Sequence, residues 1–197
     1  MEHSLALRLQ DGVREAYSRA AREPDAKHPF PTGIAFAASL GYPEDLLREV
    51  PPDAVRSFAG VGAVACYAPI EDGSVVLDLG CGSGLDSLVA ARCCGQRGFT
   101  VGVDFSDDML RRARKSTAAH GSNALFLQAA AESLPLADAS FQVAMANGIF
   151  NLNPQREAIF RELARVLQPG GRVAGAELIL REEVATNSEP SPENWFS

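Results

Sequence analysis

The residues best placed to do chemistry lie in one short stretch, Asp78-Leu79-Gly80-Cys81-Gly82-Ser83-Gly84, which closes the apolar run that begins at Val75. Glycines at such a point let the backbone turn sharply and let a ligand approach with no Cβ in the way. A helix behind them offers free N–H groups and the positive end of its dipole. The spacing is GxGxG, followed by Leu85 and Asp86, and not the GxGxxG of dinucleotide sites. Asp104 lies 20 residues beyond Gly84, at the end of a second apolar run, Phe99–Val103. A carboxylate there can accept both hydroxyls of a ribose. Glycine loop plus acid points to a nucleoside ligand; the plainer alternative is a tight strand-to-helix turn with no ligand.

These residues need a frame. Val75–Leu79, Phe99–Val103, Ala124–Leu127, Phe141–Ala146 and Arg172–Leu180 read as five strands, short and apolar as expected for strands buried on both faces. Helices alternate with them at about 84–94, after Ser106, and from Pro154 to Leu167. Ser106 is an N-cap candidate with Asp107 and Asp108 in the first turn. Asn153 is the expected cap of the helix that Pro154 opens, and Pro169-Gly170-Gly171 its stop. Strand–helix alternation implies a parallel sheet with right-handed crossovers, an α/β doubly wound fold whose ligand sits beyond the strand carboxyl ends. Upstream, residues 4–22 read as a helix with the stripe Leu5, Leu9, Val13, Ala16, Tyr17 and Ala20. Residues 23–33 are a proline-bearing loop, and a helical patch at 34–50 is broken near Gly41 and Pro43. The expected division is a helical lid region over 1–70, the nucleoside-binding domain over 71–180 and a loop or tail over 181–197.

Composition bounds the partners. The chain has 197 residues, with 25 acidic against 18 basic and a formal charge of −7. That balance, with no basic stripe, argues against nucleic acid. No apolar run reaches the roughly 18–20 residues of a membrane span, and the start lacks a signal-peptide pattern. Cys66, Cys81, Cys93 and Cys94 show no metal-ligand spacing, His3, His28 and His120 are scattered, and no metal site is expected. Reduced thiols in a cytoplasmic protein are the simplest account, with Cys93 and Cys94 read as buried packing residues.

Four ordered segments resemble class I S-adenosylmethionine (SAM)-dependent methyltransferases, a Rossmann-like fold. They are Val75–Gly84; Val101–Ser106 with Met109-Leu110 and Ala113-Arg114; Ala131–Leu136 with Phe141; and Leu163–Arg172. A narrower resemblance is to the arsenite methyltransferase family and its close relatives. It rests on Pro29-Phe30-Pro31, Leu40-Gly41-Tyr42, Val50-Pro51, Phe58–Gly62, Leu85-Asp86 and Asn147–Pro154. The resemblance implies SAM as cofactor and a small-molecule methyl acceptor. It implies that Asp78 receives the methionine ammonium and that Gly80, Cys81, Gly82 and Gly84 form the loop around the methionine part. Asp104 would bind the ribose, Phe105 or Met109 would pack near the adenine, and Glu132 with the Ala131 backbone would meet its edge. Asn147 would stand beside the sulfonium, and Tyr17, on the N-terminal helix, would approach it by cation–π contact.

Two departures matter. Val61 and Gly148 stand where the arsenite enzymes are expected to carry cysteines, which puts arsenite in doubt and favours an oxygen, nitrogen, carbon or sulfur acceptor. The last strands and helix of the fold are also not evident after Leu180, where Trp195 and Phe196 look like the start of something further. The expectation is therefore a truncated chain or a minimal SAM-binding core, with a non-catalytic SAM-binding module or partner subunit as the alternative. A nicotinamide dehydrogenase is disfavoured by the GxGxG spacing, and whether a homodimer completes the site is left open.

Overall fold

The computed structural model describes residues 2–179. Its elements are α1 (Glu2–Arg22), α2 (Ile34–Ser39), α3 (Glu44–Glu49), α4 (Pro52–Arg56), α5 (Val64–Tyr67), β1 (Val75–Leu79), α6 (Leu85–Cys94), β2 (Phe99–Asp104), α7 (Asp107–His120), β3 (Ala124–Gln128), β4 (Phe141–Asn147), α8 (Arg156–Val166) and β5 (Leu167–Ala176). The strands form one sheet in the order β3-β2-β1-β4-β5, and every pairing is parallel. Chain order reverses between β1 and β4, and the strand ends around that point are where an open α/β sheet takes its ligand.

Strand alternation decides what each residue of β1 meets. Leu77 and Leu79, fully buried, pack with Val103, Ala144, Ile159, Leu163 and Val166 beneath α8. Val76 faces the other way, into a core shared with Leu85 and Val89 of α6 and with Val55, Phe58 and Val64 from the N-terminal segment. Asp78 lies on that same face, so its carboxylate is directed to α6, where Ser87 Oγ donates to it at 2.5 Å.

α1 attaches across the start of α7. Ala20, Ala21 and Met109 form a small apolar cluster with Tyr17 and Phe30. The remaining ties are polar: Ser18 Oγ to Ser106 Oγ at 2.8 Å, Arg22 to Asp108 at 2.8 Å, and Arg112 Nε to the Ala21 carbonyl. Ser106 does cap α7, accepting from Met109 N at 3.3 Å. Replacing Ser106 with alanine removes the cap and the tie to α1 together. Urea unfolding is expected to show a loss of roughly 1–2 kcal/mol.

Several sequence expectations shift. The helical patch at 34–50 is broken near Gly41 and Pro43 as expected, giving α2 and α3, but the short α4 and α5 follow where none was expected. α8 begins at Arg156, because Asn153 Oδ1 accepts from Gln155 N at 2.7 Å in a local turn before the helix starts. The fifth strand begins at Leu167, five residues before Arg172. Leu167 pairs with Phe141, and Pro169-Gly170-Gly171 are taken up where the register shifts between Phe141 and Val143. Among the described strands β5 pairs only with β4, and proline is tolerated on such an edge. Leu180 and the expected tail over 181–197 lie outside the described residues. Among those described, no helix is long and apolar enough to cross a membrane.

Candidate functional site

The carboxyl ends of β1, β2 and β4 border a cavity roofed by α1, with about 1130 Å³ of space including the part open to solvent. The turn after β1 is fixed by the neighbouring strand: Gly80 N and Cys81 N both donate to the Val103 carbonyl, at 2.8 and 3.0 Å. Gly80 and Gly82 have φ of +75° and +51°, values that favour glycine. Gly82 N then donates to Asp104 Oδ2 at 2.9 Å, and Ser106 N to Asp104 Oδ1 at 2.8 Å. Backbone donors thus aim the Asp104 carboxylate, Phe105 adding to the pull of these two, and leave acceptor capacity for a ligand. Burial pushes its pKa up to about 6 against the pull of those donors.

A second pair of acids is buried deeper. Asp78 is raised by burial, then by the charge of Asp86. Asp86 is raised by burial and held down by donors from Tyr42, Asn147 and Ala65. Asn147 ends β4 with every hydrogen-bonding position of its carboxamide in use. Its Oδ1 accepts from Val61 N at 2.7 Å and Gly62 N at 3.2 Å, while Nδ2 donates to the Gly62 carbonyl at 2.7 Å and to Asp86 at 2.8 Å.

Asp78, Gly80, Cys81, Gly82, Asp104, Phe105, Met109, Ala131, Glu132, Asn147 and Tyr17 all line this one cavity. Gly84 does not. It is the left-handed N-cap of α6, and a Cβ there would meet Ala113 and Phe126 at 3.1 Å, so its open side faces α7 and β3. Arg14 lies over the Phe105 ring at 5.6 Å. Tyr17 stacks on Phe30 with ring centroids 4.5 Å apart; burial raises its phenol, as do the charges of Asp104 and Glu177. Glu132 is already engaged, accepting from Gln10 at 3.1 Å and Asn153 at 2.9 Å.

Sequence reasoning gave no role to Gln10 and Arg14 and placed Val13 only in the apolar stripe, although their spacing with Tyr17 puts all four along one side of a helix. It also missed the Tyr42–Asp86–Asn147 contacts. Cys93 corrects an expectation: it is exposed, as is Cys66, and only Cys81 and Cys94 are buried. Cys93 sits on the outward side at the end of α6, where no core element covers it.

Residues 76–171 match the family described as methyltransferase domain. This region is a methyltransferase domain. The sheet with its flanking helices is the Rossmann-like fold of class I methyltransferases. The chain is 35% identical over 149 residues to an arsenite methyltransferase of Halobacterium salinarum, covering 75% of this chain and 38% of that one. It is 37% identical over 107 residues to a demethylmenaquinone methyltransferase of Listeria monocytogenes, covering 53% and 45%. Among solved structures it is similar to an arsenic(III) S-adenosylmethionine methyltransferase of Chlamydomonas reinhardtii, with TM-score 0.57, 33% identity, and 75% and 50% of the chains covered. The matches span less than half the length of these curated relatives.

The cofactor of such a domain is SAM, and the donor set of the cavity fits it. A cation and a vicinal diol both suit carboxylates, and two stand at separate points along one wall. Gly82 presents a bare backbone there, the nearest atom to a Cβ at that point being Met109 Sδ at 4.0 Å.

Proposed function

We propose that the chain transfers a methyl group from SAM to a small-molecule acceptor, and that the acceptor is not arsenite. The observation that carries the first part is Asp104, aimed by Gly82 N and Ser106 N into the cavity that Asp78 also lines. In this reading Asp104 takes the ribose hydroxyls, Asp78 takes the ammonium, Phe105 and Met109 flank the adenine, and the Gly80–Gly82 backbone follows the methionine chain. Glu132 and Ala131 border the adenine edge, and Tyr17 closes the cavity from α1. The cofactor supplies an electrophilic methyl group on a cationic sulfur, a leaving group that needs no acid. The chain's own task is therefore to hold the acceptor in line and keep water away, which supplies much of the acceleration.

The acceptor side argues against a thiophilic metalloid, which needs thiolates. Val61 and Gly148 face each other: a Cβ on Gly148 would lie 3.2 Å from Val61 Cγ1. The two positions where a thiol pair would stand thus form an apolar contact. Of the four cysteines only Cys81 lines the cavity. Its Sγ lies against β2, 2.9 Å from where a Gly102 Cβ would be, and burial raises its thiol well above the ordinary value. Phe58, Ala59, Ile149 and Leu152 give that side an apolar lining, suited to an organic acceptor that brings its own oxygen, nitrogen, carbon or sulfur nucleophile.

Calorimetric titration of SAM, followed by a screen with methyl-labelled SAM, tests this. Micromolar SAM binding and label transfer to an organic acceptor, with none to arsenite in the presence of glutathione, is the expected result. Label on arsenite overturns the acceptor claim. Binding without transfer to any acceptor points to a SAM-binding module, and no binding by the folded chain overturns the cofactor reading.

A further inference from the structure

We infer that Asp86 is a positioning residue through which a cation held at Asp78 fastens the segment 59–65, the wall on the acceptor side of the cavity. The inference rests on reading this cavity as the cofactor site.

Asp86 sits in the first turn of α6 and is 5% exposed. Its Oδ1 accepts from the Tyr42 hydroxyl and from Ala65 N at 3.0 Å, and its Oδ2 from Asn147 Nδ2 at 2.8 Å. Asn147 carries the chain of contacts on to Val61 N, Gly62 N and the Gly62 carbonyl. One carboxylate therefore ties the end of β4, the start of α5 and the loop that leads into α5 into a clasp. Gly60 leaves no slack in it, since a Cβ there would be 2.5 Å from Asn147 Nδ2 and 2.7 Å from Phe58 Cζ. Because Asn147 Oδ1 receives two backbone donors, the NH2 must face Asp86, and the clasp needs an acceptor at that point.

Closing the clasp buries Asp86 beside Asp78, and two carboxylates in a low-dielectric interior repel strongly. A cation at Asp78 offsets that repulsion, so closing costs less when the cation is present. By linkage the closed clasp binds the cation more tightly in return. In the free protein a proton does the same work: the charge of Asp86 raises Asp78, while the three donors favour the ionised form of Asp86. The other titratable groups that bear on the pair are Asp104, which acts on Asp78, Cys81, raised in part by the charge of Asp78, and Tyr42, Cys66 and Tyr67, each raised in part by the charge of Asp86.

Hydrogen exchange of the 59–65 segment, with and without SAM, tests the clasp in the full chain. SAM is expected to slow exchange at Val61, Gly62 and Ala65 by about fivefold or more, the lower end of ordinary couplings. In Asp86→Asn the slowing is lost, and calorimetry in two buffers of different ionisation heat shows less proton release on SAM binding than in the wild type. The proton count reports the charge of Asp86 on Asp78, the exchange rates report the clasp, and both must change together. Should that variant not fold, the wild type suffices: the slowing by SAM must shrink from about pH 8 to about pH 6, because a proton on Asp78 then removes the same repulsion. SAM that binds with unchanged exchange at 59–65, or a slowing independent of pH, overturns the inference while leaving the cofactor site standing. Failure of the wild type to bind SAM overturns the cofactor reading itself.

Discussion

Replacing Asp104 with alanine weakens SAM binding by about ten- to a hundredfold, read by calorimetric titration. That is the loss of hydrogen bonds to a charged group, roughly 1.5–3 kcal/mol. Asparagine is no rescue, because its NH2 must face either Gly82 N or Ser106 N, donor against donor. Affinity and stability separate here. The folded-state pKa of about 6 lies above the ordinary 3.8, so the folded chain binds this proton more tightly than the unfolded one. The group's contribution to stability is therefore fully present below about pH 4 and lost as the pH rises through about 6. SAM affinity should rise over that same window as the carboxylate ionises. An alanine variant that binds SAM as tightly as the wild type would remove Asp104 from the site.

Gly80→Ala is the second large effect. The position has φ +75°, and a Cβ there would run into Cγ2 of Ile149, a residue that also lines the cavity. A left-handed alanine costs about 1–2 kcal/mol and overpacking typically another 1–3. Urea unfolding is therefore expected to show a loss of roughly 2–5 kcal/mol, with SAM binding abolished. Gly80→Ala with Ile149→Ala should recover the overpacking part and leave the backbone part, a non-additivity that a double-mutant cycle reads directly. Additive losses would mean that the two residues do not meet.

What the sequence made legible is what is local in it. Val75–Leu79 reads as a buried strand because both its faces are covered, and Ser106 reads as a cap because it bonds to the amide three residues on. Gly80, Gly82 and Asp104 follow from a turn and a strand end. The Asp86 clasp was illegible because Tyr42 and Asn147 lie 44 and 61 residues away from it, and no spacing rule joins them. Gly84 shows the limit of pattern reading. Three glycines alternate identically, yet two border the cavity and the third gives room to Ala113 and Phe126. The start of β5 was hidden by Pro169-Gly170-Gly171, which an edge strand can carry and a central one cannot. Asn153 satisfied the cap rule, but its side chain closes a turn before α8 and reaches Glu132.

The attachment of α1 has a consequence for rates. Gln10, Val13, Arg14 and Tyr17 make this helix one wall of the cavity, so its attachment bears on how fast a ligand that fills the site exchanges. Besides buried Leu9 and Val13 and the cluster around Met109, the wall is fastened by hydroxyls and by partly exposed charges such as Arg22 and Asp108. Salt screens charges of that kind and leaves the buried carboxylates at the strand ends nearly untouched. Ionic strength therefore acts on residence time, shortening the stay of a bound molecule, and has far less hold on which molecule the strand ends select.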